Sequence, residues 1–269
     1  RDYRPSRDDI ERFYNKHKEE YYVEPTLTFA HVFVSKQGRS AAAVQHEVAE
    51  LGTRLKDEVV SFAQAPRYGE RFLYHVNYVE KGFEAGAKIV FQHTPEMMSY
   101  FEKLIGVKYP WPKYDQIVVR DFVSGAMENT TASIFMEELR LNEREALDSE
   151  WDYIIAHELF HQWFGDLVTA ESWAHLTLNE AFANYSEYLW NEHKYGKDQA
   201  DLKLVAEMEG YFAESESKMV DLIRYDYVDG EDMFDAHSYN KGGVILHMLR
   251  DVLGDEAFFE GLKNYLETN

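Results

Sequence analysis

One segment constrains the fold of this 269-residue chain more than any other: AHELFHQWFGD, residues 156 to 166. It sets His157, Glu158 and His161 in an otherwise apolar run of Ile154, Ile155, Leu159, Phe160, Trp163 and Phe164. Ser149 and Asp152 ahead of the run form a capping-box pair and Gly165 closes it, so the pattern predicts a helix between those limits. A helix apolar on nearly every side is buried, and an imidazole or carboxylate buried without a partner is costly. Histidines four residues apart project from one helical face, where both can reach a single ion. With 11 histidines in the chain an HExxH pattern also arises by chance, and it is the apolar surroundings that favour a metal site over a solvated face.

The absence of cysteine narrows the chemistry further. Disulfide scaffolds, iron–sulfur clusters and thiolate zinc sites are excluded, so any metal must be held by histidine and carboxylate. Zinc with two histidines needs one more protein ligand, and an open position if it is to be catalytic. Glu180, in LTLNEAFANYSEYL, supplies that ligand from a second helix whose Phe182, Tyr185 and Leu189 can pack beside the first. The competing reading has Glu180 closing a capping box with Thr177. Glu158 adjoins the first ligand, where a carboxylate can hold a water and take its proton. The expectation is one zinc ion per chain, with His157, His161 and Glu180 as ligands and Glu158 as general base.

A formal charge of −21 disfavours nucleic acid and anionic membranes as partners and favours peptides, proteins or small molecules. No run of 18 apolar residues and no signal-peptide pattern is present, while a chain opening on Arg1 leaves the compartment open. Along the chain, residues 8–20 read as a helix, Thr26 to Val34 as a strand and Ala41 to Val60 as an amphipathic helix, with a boundary near residue 80. Beyond it come a helix from Thr94 to Gly106, strands at Asp115 to Phe122 and Ala132 to Met136, and the helix of the HExxH segment. Further helices span about 179–192, 197–213, 240–253 and 255 to the end. Strands followed by helices in blocks indicate an α+β fold.

HELFHQWFGDLVT, followed by NEAF with eighteen residues between His161 and Glu180, resembles the gluzincin aminopeptidases of the aminopeptidase N and leukotriene A4 hydrolase type. Two more segments carry the resemblance: GAMEN at Gly125 to Asn129, similar to that family's exopeptidase signature, and SYNKG at Ser238 to Gly242, similar to its catalytic-tyrosine motif. The resemblance implies a thermolysin-like domain, a mixed sheet followed by helices, over about residues 81–269. It implies hydrolysis of the N-terminal peptide bond of peptides by a zinc-activated water. In that scheme Glu128 binds the free α-amino group and Tyr239 donates to the oxyanion. Gly125 and Ala126 leave room for an extended substrate, and Met127 lines the pocket for its first side chain. His175, His237 and His247 are expected in core or surface roles, with His237 closest to the site through Tyr239. Ala181 stands where many relatives carry glycine.

Residues 1–80 do not resemble the all-β domain that precedes the catalytic domain in those peptidases. Their small helix–strand–helix pattern resembles part of a parvulin-type (PpiC-like) peptidyl-prolyl isomerase. His31 is its only candidate catalytic residue, so this part is expected to be non-catalytic. At the other end, the last helix stops short of the rest of the family's catalytic domain, so 81–269 reads as a domain truncated at its C-terminal end. Rival readings are an endopeptidase or epoxide hydrolase on the same scaffold, or a metal-binding but inactive protein-interaction fragment.

Overall fold

The structure is a computed structural model that describes Lys16, residues 29–34 and residues 72–269. Apart from Lys16, which is helical, the helices expected at 8–20 and 41–60 lie outside the described residues, as does most of the parvulin-like segment. Five strands form one mixed sheet: β1 (Phe29–Val34), β2 (Phe72–Tyr78), β3 (Lys113–Val118), β4 (Ala126–Met127) and β5 (Ala132–Phe135), in the order β1-β2-β3-β5-β4. β2 and β5 run parallel to β3, while β1 and β4 pair antiparallel at the two edges. The sheet therefore runs across residue 80.

Parallel neighbours need a crossover, and α1 (Glu84–Val90) and α2 (Thr94–Ile105) provide it between β2 and β3. α2 follows its sequence signals closely. Pro95 lies in the first turn, and Gly106 ends the helix at φ 75, its N–H donating to the Glu102 carbonyl at 3.1 Å. Its Met97, Met98, Phe101 and Ile105 are buried. β3 stops at Val118, earlier than expected, because the chain turns through the left-handed region at Asp121, φ 51.

The remaining helices are α3 (Glu143–Ala146), α4 (Asp152–Phe160), α5 (Thr177–Tyr195), α6 (Lys197–Ser215), α7 (Gly242–Leu253) and α8 (Asp255–Thr268), with a π-turn over His237–Lys241 ahead of α7. α4, the HExxH helix, lies at the centre of the core between α2 and α5. Phe160 meets Phe101 edge-on at 5.0 Å, and Trp163 just beyond the helix is wholly buried.

The ends of α4 differ from expectation. Ser149 does not cap it: its hydroxyl donates to the Ala146 carbonyl at 2.7 Å. The Asp152 carboxylate is engaged instead by His93, Trp190 and Tyr195, at 2.9, 3.0 and 2.6 Å. At the other end regular helix stops at Phe160, and Gly165, at φ 140, donates to the Val168 carbonyl at 2.7 Å as the chain reverses. Among the described residues the architecture is α+β, and no helix there is long and apolar enough to cross a membrane.

Candidate active site

α4 and its C-cap residue present His157 and His161 on one face, and α5 brings Glu180 against them. Each Nε2 lies 3.4 Å from Glu180 Oε2, and the three donor atoms lie within 4.8 Å of one another. Thr177 does not form a capping box with Glu180, because its hydroxyl donates to the Ser238 carbonyl at 3.2 Å. The histidine tautomers are fixed from behind. His157 Nδ1 is 2.8 Å from Glu187 Oε1, and His161 Nδ1 is 2.9 Å from the Phe164 carbonyl. A carboxylate and a carbonyl only accept, so both Nδ1 atoms carry a proton and both Nε2 atoms face the centre, where a bound cation would replace any proton they hold. Glu187 is itself paired with Lys203 at 2.7 Å, and Lys203 also pairs with Glu207.

The donor set suits a zinc ion. Glu180 Oε2 is buried and accepts no hydrogen bond of normal geometry, so its lone pairs are free for a cation. Two imidazole nitrogens and one carboxylate oxygen, with space beside them, match the ligand chemistry of an open zinc site. The electrostatics describe a centre that attracts positive charge. Burial disfavours an imidazolium at His161, yet the Glu180 carboxylate holds that ring up at about 9. His157 is likewise held well above the usual range by Glu180 and Glu187 against its burial. Burial opposes ionisation of Glu180, but His161 and His157 outweigh it and keep its carboxyl low.

A cavity of about 520 Å³ opens over these ligands. Glu158 lies on its wall, buried, and that burial pushes its carboxyl up to about 7 against the pull of His157 and His161. From the sheet side, edge strand β4 contributes Ala126 and Met127, followed by Glu128. The acceptor atoms of Glu128 and Glu158 and a ring nitrogen of His161 lie within 4.8 Å of one another. Tyr239 closes the far side from the π-turn, its ring stacked on His157 at 6.1 Å and 12°. Burial and the neighbouring Glu180 both raise the phenol's pKa, which keeps it protonated and able to donate.

Of the residues given a ligand, catalytic or substrate-binding role from sequence, Gly125 alone is off this cavity. A methyl group there would meet Ile154 Cδ1 at 3.5 Å and Met136 Sδ at 3.9 Å, so Gly125 faces the core beside α4. His175 bonds to Tyr225 at 2.8 Å, His247 contacts Tyr185 at 3.2 Å, and His237 is wholly buried away from the cavity.

Gln162 escaped sequence reasoning. Its side chain donates to the Glu128 carbonyl at 2.9 Å and accepts from the Thr131 N–H at 2.8 Å, pinning the Glu128 segment to the turn after α4. Its position next to His161 was the available signal. Trp173 and Phe234 also line the cavity, 5.8 Å apart, and nothing in their spacing announced that.

Two histidines and a glutamate around a free carboxylate lone pair, with a second carboxylate buried beside them, have the donor set of a metal centre of the HExxH class. Comparison with known proteins agrees with that class. The chain matches the Peptidase family M1 domain over residues 89–269. It is 35% identical over 199 residues to aminopeptidase M1-A of Oryza sativa subsp. japonica, covering 71% of this chain and 22% of that protein. It is 37% identical over 183 residues to endoplasmic reticulum aminopeptidase 2 of Homo sapiens, covering 65% and 19%. Among solved structures, the M1 zinc metallopeptidase from Deinococcus radiodurans superposes with a TM-score of 0.58 at 28% identity, covering 74% of this chain and 42% of that one. Yeast LTA4 hydrolase in complex with bestatin gives 0.63 at 26%, covering 73% and 32%. The chain belongs to peptidase family M1. It spans about a fifth of the length of the curated relatives it matches.

Proposed function

We propose that residues 81–269 form a thermolysin-like catalytic domain that holds one zinc ion per chain and removes N-terminal residues from peptides, with residues 1–80 non-catalytic. The observation that carries this reading is the clustering of Glu128, Glu158 and His161 donor atoms within 4.8 Å, on the cavity shared by the ligand triad and Tyr239. A carboxylate standing outside the triad, at the end of an edge strand, suits a substrate ammonium group. The names of the relatives support it, as does a structure of a Deinococcus radiodurans enzyme variant bound to a Tyr-Ser-Ala substrate, 28% identical to this chain.

His157, His161 and Glu180 would hold the zinc ion, which supplies Lewis acidity and lowers the pKa of water to about 7. The chain's own groups do the rest. Glu128 pairs with the substrate's free ammonium and sets the register, so that the first peptide bond reaches the centre. The substrate backbone lies along β4, where Ala126 presents a small side chain and Met127 borders the first side chain. Glu158 accepts the proton of the attacking water and passes it to the leaving amine. Tyr239 donates its O–H to the carbonyl oxygen as negative charge develops there.

The test is a comparison of initial rates on aminoacyl anilides and on their N-acetylated forms. Acetylation removes the cation and leaves Glu128 unpaired, so cleavage is expected to fall by at least about 100-fold. Equal cleavage of the two would remove the exopeptidase reading.

A further inference from the structure

Tyr239 rides on a π-turn, an uncommon geometry that persists where surrounding contacts sustain it, as the Lys241 N–H donating to the Ala236 carbonyl at 2.9 Å illustrates. The contacts that sustain it converge on Asp235, four residues earlier, whose side chain is 4% exposed. Asp235 Oδ1 accepts the N–H groups of His237 at 3.1 Å and Ser238 at 2.9 Å. Its Oδ2 lies 2.6 Å from Lys218 Nζ and 2.5 Å from Arg224 Nη2, and its backbone carbonyl accepts the Tyr239 N–H at 3.1 Å. Arg224 is itself immobilised: its guanidinium donates to the Asp221 and Asp232 carbonyls at 3.0 and 2.7 Å, and its N–H to Ala174 at 3.3 Å.

A second strut runs through His237. Its Nδ1 is 2.6 Å from Glu214 Oε2 on α6, its Nε2 accepts the Val220 N–H at 3.3 Å, and Tyr211 packs edge-on against the ring. Donor atoms of Glu214, Asp235 and His237 also lie within 4.8 Å of one another, the spacing of a metal site. The occupancy of those atoms argues otherwise. Asp235 already faces two cationic side chains, and both His237 nitrogens are engaged, so the cluster is a brace.

We propose that Asp235 is a positioning residue for Tyr239: with Lys218 and Arg224 on one oxygen and two peptide N–H groups on the other, it fixes the turn that aims the phenol into the cavity. This rests on the reading of Tyr239 as the oxyanion donor. Its purpose is geometric. A donor displaced by about 1 Å from a developing oxyanion forfeits about 100-fold in rate. Charge-assisted hydrogen bonds to a buried carboxylate are the strong kind that can resist that displacement.

The experiment is a double-mutant cycle on aminoacyl anilide hydrolysis by the zinc-loaded chain, with D235A, D235N, Y239F and the D235A/Y239F pair. D235A is expected to lower kcat by about 10- to 100-fold with KM within about twofold and zinc content unchanged. D235N keeps an acceptor for the two N–H groups, loses only the charge, and is expected to fall between. In the Y239F background D235A is expected to change kcat by less than about twofold, because the group it positions is gone. The same loss in both backgrounds would make Asp235 a general fold residue and overturn the proposal, as would a wild-type kcat for D235A. Wild-type activity of Y239F would instead overturn the role of Tyr239 itself. If D235A loses its circular-dichroism signature of folding, the same cycle run with D235N decides.

Discussion

Glu158 illustrates how one residue's task is set by its neighbours on the helix. It lies on α4 between His157 and His161, yet it stands outside the His157–His161–Glu180 cluster and lines the cavity beside them. Glutamine in its place keeps shape and burial but cannot accept the proton of an attacking water. Glu158→Gln is therefore expected to lower kcat by about 100- to 10,000-fold, while metal analysis still finds one zinc per chain. Substantial retained activity would assign the base elsewhere. Glu187, by contrast, was invisible in the sequence as part of the site. It lies seven positions after Glu180 on α5, two turns along the same face, and reaches the back of His157. Carboxylates are common on helices, and only the contact distinguishes this one.

At the scale of elements, the close approach of α5 and α7 fixes where the tyrosine-bearing turn can sit. Gly242, the first residue of α7, has a φ of −58, so alanine there carries no backbone strain. A methyl group would nevertheless lie 2.5 Å from Ala181 Cβ and 2.9 Å from Thr177 Oγ1, both on α5. Helix propensity favours alanine over glycine by about 1 kcal/mol, and overpacking costs about 1–3 kcal/mol, so the clash is expected to win. Gly242→Ala should lower the urea midpoint, and because Gly242 follows Tyr239 by three residues it should also lower kcat. An unchanged midpoint would mean that α7 moves freely.

The same contact gives meaning to Ala181: the interface accommodates one methyl, contributed from α5. Sequence periodicity located α5 and α7 well, within a few residues at each end. It misjudged the start of α4 because Ser149 and Asp152 fit a local capping rule, while Ser149 bonds back to the Ala146 carbonyl and the distant Trp190 claims Asp152.

For the molecule as a whole, with 49 acidic residues and a formal charge of −21, pH acts on stability through paired carboxylates. Glu80, just after β2, is gripped by Arg120 from the end of β3 and by Arg140 at 2.8 Å, tying three segments at one end of the sheet. The Arg120 hydrogen bond, opposed by partial burial and aided by Arg140, lowers the Glu80 carboxyl from 4.5 to about 2. A carboxylate depressed in the folded state stabilises fully above its unfolded value and ceases to do so as pH falls through the folded one. The Glu80 contribution is thus expected above about pH 4.5 and lost progressively toward pH 2. Denaturation curves across that range should show Glu80→Gln flattening the pH dependence of stability. The effect should shrink in salt, because Arg120 is exposed to solvent.

The sequence by itself determined which residues the proposed chemistry falls on. HExxH in an apolar run, a glutamate with eighteen residues between it and the second histidine, and no cysteine leave little besides a histidine–carboxylate metal site, because helical spacing and the cost of burial act locally. It also marked Glu128 and Tyr239, through motifs whose order along the chain is informative. Only the tertiary structure decided that β4, Glu180 and the π-turn meet over one cavity, that Gly125 faces the core, and that Gln162, Glu187 and Asp235 hold the site in place. Those contacts join residues far apart in the chain, and their energy depends on distance and exclusion of water, quantities that no pattern of neighbours encodes.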